Sequence, residues 1–372
     1  MQSVVPIFFA LLRNALWGTP LRFESISHPV FASLINVAAR QTVQGIVCGA
    51  LIKNNIKLER DDALKAFMLQ KSIKQTNNKV SNELTELVKL LNSHGIEYRM
   101  FKGQTLAQLY PNPAERMSGD IDFYCCGAYF AKATAVIQQA WNLKVLHEES
   151  EQHDAFTHNG ILMELHFRMI KFESRSISRY WEKLLAYDEP VTVNVAGTEV
   201  VTLSPMLNVL YTFLHLYHHL VELGVGLRQF CDVACLLHHH RNSINRAALH
   251  RHLHAMSFTH AFAAIGWILV NKLGLPQEEF PIDITSKDKS YESYILKVVF
   301  EGGNFGHYAK KTRVRSGIGY YVETLLLKAS HYRMLYKLSP KEITSSLIKG
   351  LPKQIYKALR RYRKAVFPHV AQ

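Results

Sequence analysis

The chain has 372 residues, 48% of them apolar and 20% charged, a composition that fits an ordinary globular protein and argues against a disordered or low-complexity chain; its length predicts two or three domains. The 44 lysines and arginines against 30 acidic residues give a formal net charge of +14, which points to anionic partners such as nucleotides, RNA or an acidic surface. Five cysteines, with Cys125 and Cys126 adjacent and Cys231 and Cys235 one helical turn apart, make no disulfide framework and predict a reducing, cytoplasmic setting.

The opening segment MQSVVPIFFALLRNALWG is too short for a membrane span and lacks a basic leader, so it reads as a core helix; no other window reaches membrane length. Residues 1–92 form a mostly helical region. In it, Leu64, Phe67, Met68, Val80, Leu84, Leu87, Val88 and Leu91 recur at helical spacing, and Gly95 suits the left-handed position that ends the helix. A strand over Glu97–Phe101 follows, then a short helix over Gln104–Tyr110, which Pro111 and Pro113 break into a loop reaching Ser118. Next comes the strand Gly119-Asp120-Ile121-Asp122-Phe123-Tyr124, then a helix from Gly127 to Trp141 and short strands at Leu143–Leu146 and Asp154–Thr157. Asn159-Gly160 signals a hairpin into the strand Ile161–Phe167, and Ala196-Gly197 a second one between Val191–Val195 and Glu199–Leu203. Ser204-Pro205 starts a helical, histidine-rich stretch to about Ala264, continued by an apolar helix over Ile265–Leu275, a polar connection from Pro276 to Lys289, and further helices that end in a basic stretch. The fold class predicted is α+β: a mixed sheet with packed helices over 93–203, an N-terminal helical region over 1–92, and a C-terminal helical region over 204–372.

Alternation carries the chemistry. In a strand, Asp120 and Asp122 share one face while Ile121 and Phe123 turn to a core; Glu164 and His166 likewise lie opposite Ile161, Met163, Leu165 and Phe167. If the two strands are neighbours, Asp120, Asp122 and Glu164 supply the oxygen ligands that a hard cation such as Mg²⁺ (or Mn²⁺) prefers; the alternative is a solvated polar face. Gly103, at the start of a helix, offers backbone N–H groups to a phosphate, and Lys102 adds a point charge or is a surface lysine at a strand end. Arg116 can reach the acidic pair or a triphosphate, or form a salt bridge that shapes its loop. His166 is read as an outer partner of the metal-binding carboxylates or as a cap on the sheet edge. His215, His218, His219 and His238-His239-His240 match no zincin pattern and read as structural or solvent-facing, and Arg228 and Asp232 stand at the spacing of an intrahelical ion pair.

Residues Phe101-Lys102-Gly103, Leu106-Ala107, Tyr110, Pro113, Arg116, Asp120-Ile121-Asp122 and Glu164-Leu165-His166 together resemble the nucleotidyltransferase superfamily with its polymerase-β-like fold. They are most similar to a bacterial family of uncharacterised nucleotidyltransferases. The resemblance is densest over about 95–170 and extends more loosely to Gly226-Leu227-Arg228 and Asp232. It departs from the superfamily where the usual Gly-Gly or Gly-Ser pair reads Lys102-Gly103. What the resemblance implies is metal-dependent transfer of NMP from an NTP to an acceptor, with release of pyrophosphate; the acceptor, whether sugar, antibiotic, protein hydroxyl or RNA, is not specified. Asp120, Asp122 and Glu164 would then be catalytic and metal-binding, and Lys102, Gly103 and Arg116 nucleotide-binding. The rival reading is a non-catalytic protein of this fold that holds RNA or an anionic surface. Its best support is the tail from Lys353 to Lys364, a basic amphipathic helix with interleaved tyrosines, preceded by the basic run Lys310–Arg315.

Overall fold

A computed structural model describes residues 4–145, 150–222, 224–303, 317–350 and 352–353. The basic run Lys310–Arg315 and the tail beyond Lys353 lie outside these residues. Four helices open the chain: α1 (Val4–Trp17), α2 (His28–Arg40), α3 (Gln44–Lys53) and the long α4 (Arg60–Ser93). The start of the chain is a core helix as predicted, with Phe8, Leu11 and Leu12 fully buried. Gly95 closes α4 with φ 58°.

The α/β portion follows as β1 (Arg99–Phe101), α5 (Gly103–Ala107), β2 (Asp120–Tyr124), α6 (Ala128–Trp141), β3 (His153–His158), β4 (Ile161–His166), α7 (Arg175–Ala186), β5 (Val191–Val195) and β6 (Thr198–Thr202). The six strands make one mixed sheet in the order β3-β4-β2-β1-β6-β5. Both hairpin signals hold: Asn159 (φ 48°) and Gly160 (φ 76°) join β3 to β4, and Ala196 (φ 50°) and Gly197 (φ 86°) join β5 to β6. The pairing that matters is β2 beside β4, parallel, with Asp120 opposite Leu162 and Asp122 opposite Glu164.

Several local readings change. Residues 143–145 are irregular rather than a strand, α5 stops at Ala107 rather than Tyr110, and α7 stands where no element was read. The helical remainder comprises α8 (Pro205–Val221), α9 (Leu227–His239), α10 (Arg246–Met256), α11 (Thr259–Asn271), α12 (Ser286–Lys289), α13 (Glu292–Gly302), α14 (Gly317–Leu335) and α15 (Pro340–Ser345). The Ser204 side chain accepts a bond from the Leu207 N–H, so serine caps α8 with Pro205 in its first turn. Ser257, at φ 62°, breaks the chain between α10 and α11, so the apolar helix begins at Thr259 and not at Ile265. No helix of the described residues is long and apolar enough to cross a membrane.

Two hydrophobic clusters flank the sheet. One packs Ile121, Phe123, Met163 and Leu165 against Leu84, Leu87 and Val88 of α4 and Ala133 and Ile137 of α6. The other gathers the N-terminal helices with α8, α9 and α11, and reaches the sheet at Phe101. The acidic face of β2 and β4 therefore looks toward α8 and α9.

Candidate active site

Asp120, Asp122, Glu164 and His166 border one cavity of about 230 Å³ together with Lys102, Gly103 and side chains of α8 and α9. Alternation on two paired strands brings the three carboxylates to one wall, and the parallel register sets Asp122 level with Glu164. Asp122 is buried and accepts from two cations or donors: Lys102 Nζ at 3.3 Å and His166 Nε2 at 3.0 Å, both on Oδ1. His166 Nε2 also lies 3.3 Å from Glu164 Oε2, and His153, directly across from His166 in the β3–β4 register, has Nδ1 3.7 Å from that same oxygen. The imidazole of His166 thus links two carboxylates.

These contacts set the electrostatics. Burial alone would raise the Asp122 carboxyl, but the Lys102 charge and the His166 hydrogen bond outweigh it and hold the group well below the ordinary range, so Asp122 stays ionised. Asp120 moves the other way: burial and the neighbouring Asp122 charge raise it. His166 is buried, yet its bonds to Asp122 and Glu164 raise it. Lys102 is raised too, since the Asp122 charge overrides desolvation. Its Nζ sits 5.3 Å from the Phe101 ring centre and 5.7 Å from that of Tyr211, within cation–π range.

The backbone at the floor of the cavity is unusual. Lys102 has φ 59° and ψ −149°, a conformation that favours glycine, and Gly103 follows at φ 43°. This strand-to-helix turn carries the lysine side chain over the Asp122 carboxylate.

Arg116 borders the same cavity, and its contacts are those of the loop-shaping salt bridge, the other reading of this residue. Its guanidinium is buried and committed: Nε and Nη2 donate to the two carboxylate oxygens of Asp232 at 2.7 and 2.9 Å, and Nη1 to Ser118 Oγ at 2.8 Å. Tyr110 also donates to Asp232, at 2.6 Å. This two-point pair ties the loop before β2 to α9, and Asn77 of α4 secures the same loop by donating to the carbonyls of Ala114 and Arg116 at 2.8 and 2.9 Å. Asp232 is thereby taken by Arg116 rather than by Arg228, which instead donates from Nη1 to the Met117 carbonyl at 2.7 Å. The i, i+4 spacing of Arg228 and Asp232 concealed these cross-chain partners.

The histidines divide. His215, His218 and His219 of α8 line the cavity, and His219 Nε2 lies 3.1 Å from His215 Nε2. His238 instead pairs with Glu279 at 2.7 Å and packs against Trp17, away from the acids. Among the described residues, the groups of side chains that could converge on a metal are His153–Glu164–His166 and His28–Glu59–Asp62; Cys231 and Cys235 are buried and belong to neither.

No curated protein matches the chain. A crystal structure of an antigenic nucleotidyltransferase-like protein from Paracoccidioides brasiliensis is similar over 60% of this chain and 94% of its own, at 16% identity and a TM-score of 0.35. Residues 30–273 match the family described as uncharacterised nucleotidyltransferase. That match takes in more than half of the sequence, every element from α3 to α11 and the whole acidic wall, and the chain belongs to this nucleotidyltransferase family.

Proposed function

We propose that the protein transfers a nucleotidyl group from an NTP to an acceptor in a polymerase-β-like site, and that Asp120, Asp122 and Glu164 would hold a divalent cation, Mg²⁺ or Mn²⁺. The observation that carries this is that the three carboxylates line one cavity wall, with Asp122 level with Glu164 on adjacent parallel strands. The donor chemistry suits such an ion, hard oxygens with Asp122 held ionised, while the ligand atoms that already converge at this wall are those of Glu164, His166 and His153. When bound, the ion would offset the negative charge of the phosphates and of the transferring oxygen.

The chain's own groups supply the rest. The Lys102-Gly103 backbone, where no side chain stands at Gly103, gives the triphosphate a close approach, and Lys102 adds charge at the cavity floor. Glu164 either completes the ligand set or takes the proton of the acceptor hydroxyl. That oxygen bonds to the α-phosphorus, the bond to the α–β bridging oxygen breaks, and pyrophosphate leaves. His166, through its contacts with Asp122 and Glu164, positions both carboxylates. A reducing, cytoplasmic location suits this chemistry.

One observation favours the binding-protein alternative: Asp122 already has Lys102 and His166 for partners, so its charge is compensated by the chain alone. Pyrophosphate release separates the two. With saturating NTP, Mg²⁺ or Mn²⁺ and a cell extract as acceptor source, the parent is expected to release pyrophosphate and Glu164→Gln to lose that activity by orders of magnitude while still binding NTP. Parent-level turnover in Glu164→Gln removes the catalytic assignment, and a parent silent with every divalent ion and extract favours the binding protein.

A further inference from the structure

We propose that the first turn of α9 is a polyphosphate subsite, in which Arg228 grips the phosphates of the bound nucleotide and Gln229 takes a hydroxyl or amino donor of the same ligand. The inference rests on the nucleotidyl-transfer reading and adds to that cavity an arginine other than Arg116, whose guanidinium is paired with Asp232.

Arg228 borders the cavity of Asp120, Asp122 and Glu164. Its Nη1 is spent on the Met117 carbonyl, which fixes the side chain, but its Nε is buried with no hydrogen-bond partner. Asp232, the acid one turn along the same helix, carries the two-point pair with Arg116. Burial and the adjacent Arg116 charge push Arg228 below the usual arginine range, outweighing the opposing pull of Asp232 and Asp120. An anion entering the cavity would relieve that. A planar guanidinium offers paired donors that match two phosphate oxygens, and it is less strongly hydrated than an ammonium, so polyphosphate is the ligand class that fits it.

Gln229 gives a second, independent sign. Its side chain lines the same cavity, the residue is 5% exposed, and its Oε1 is buried without a partner. Buried polar atoms are ordinarily satisfied, and here an open donor and an open acceptor sit on successive residues beside one cavity. A phosphate chain brings no hydrogen at neutral pH, so the donor that meets Oε1 belongs to another part of the ligand, the nucleoside.

The test measures binding of inorganic tripolyphosphate and of NTP, each with Mg²⁺, to the full chain and to Arg228→Gln, Arg228→Lys and Gln229→Leu, with melting temperature followed alongside. Arg228→Gln is expected to lose about tenfold to a hundredfold in tripolyphosphate affinity, the range for a lost hydrogen bond to a charged group. Arg228→Lys keeps the charge without the fork and loses less. Gln229→Leu is expected to bind tripolyphosphate as the parent does and NTP less tightly. Because Arg228 also holds the Met117 carbonyl, a purely structural role would lower the melting temperature of both Arg228 variants and leave the affinity of the folded protein unchanged; that result overturns the subsite. So does a parent that binds no tripolyphosphate. Pyrophosphate release from the parent keeps the two questions apart. Release by the parent together with undiminished affinity in Arg228→Gln leaves the transfer reading standing and removes the subsite; Arg228-dependent binding without release leaves the subsite and removes the reaction.

Discussion

The two faces of β2 and β4 share one backbone and differ in everything else. On one face Ile121, Phe123, Met163 and Leu165 are almost wholly buried against α4 and α6. On the other, Asp120, Asp122, Glu164 and His166 meet Lys102 and the polar wall of α8 and α9. The apolar face is stabilised by removal of surface from water and needs no particular partner. The acidic face carries like charges at close quarters, visible in the raised Asp120, and is tolerated because Lys102 and His166 offset Asp122. The apolar face is therefore held by burial, and the other by a near balance of carboxylates (Asp120, Asp122, Glu164, Asp232) and cations (Lys102, Arg116, Arg228), with Asp120 the group that its like-charged neighbours disfavour.

The largest test of that contrast is Asp120→Asn. It removes one of the three carboxylates and one member of a like-charge pair. Turnover should fall by about a hundredfold or more, since even outer partners of metal ligands are worth about 10–100-fold. The melting temperature should hold or rise. A large loss of stability would show that Asp120 supports the fold, and unchanged turnover would take it out of the site. Phe123→Ala is the mirror image. Phe123 is 0% exposed, and its truncation should cost about 3–5 kcal/mol in denaturant unfolding, with near-parental turnover in the molecules that remain folded. If the two substitutions affect turnover and stability alike, the division of labour between the faces is wrong.

Much of this was legible in the sequence because it is local. Alternation over Asp120–Tyr124 and Ile161–His166 assigns each side chain to a face, and Asn159-Gly160 and Ala196-Gly197 assign the turns, all from residues near one another. What escaped depends on distant contacts. Arg116 and Asp232 are 116 positions apart, and nothing beside either marks its partner. The nearby Arg228 offered a plausible local substitute, and the structure gives that arginine a different contact, Met117. The helix Arg175–Ala186 is a different case, since its signal is local: Ile177, Tyr180, Trp181, Leu184 and Leu185 recur at helical spacing behind Ser174 and pack on the core, and the reading passed over them. The α8 histidines gave no sign of their place because the charges that act on His215, those of Lys102 and His166, come from the turn after β1 and from β4.

A smaller effect is expected at the border between the faces. Gly103 has φ 43°, and a Cβ there would stand 3.4 Å from the Asp120 carbonyl oxygen. Gly103→Val combines a left-handed backbone with a β-branched side chain and should cost about 1–2 kcal/mol of stability. Its affinity for Mg²⁺–NTP, measured by titration calorimetry, should drop more than that of Lys102→Ala, because the side chain would stand where a phosphate approaches the backbone. The reverse order would assign the phosphate contact to the Lys102 ammonium rather than to the main chain.

The smallest expected effect is a difference in acid sensitivity between the faces. His215 and His219 of α8 are half-buried in the cavity wall, with their Nε2 atoms 3.1 Å apart. One of those nitrogens must accept, so the pair cannot carry protons on both without two N–H groups facing each other. Burial first, then neighbouring cations, lowers His215 well below the ordinary histidine range and His219 to about 3. In the unfolded chain both titrate near the ordinary value of about 6.5. Between that value and the folded one the unfolded state binds more protons, so stability is fully present above about pH 6.5 and is lost as pH falls below it. His166, which is raised, has the opposite sign: its contribution is complete below about pH 6.5 and lost as pH rises above, so it adds no slope in the acid window. Melting temperature should therefore fall from about pH 6.5 to about pH 5, and the double variant His215→Gln/His219→Gln should lessen that fall, the rest being carried by His218, His240, His252 and His331, which burial also lowers, while Phe123→Ala shifts the whole curve downward without changing its slope. An undiminished slope in the double variant would show that α8 does not carry the acid sensitivity.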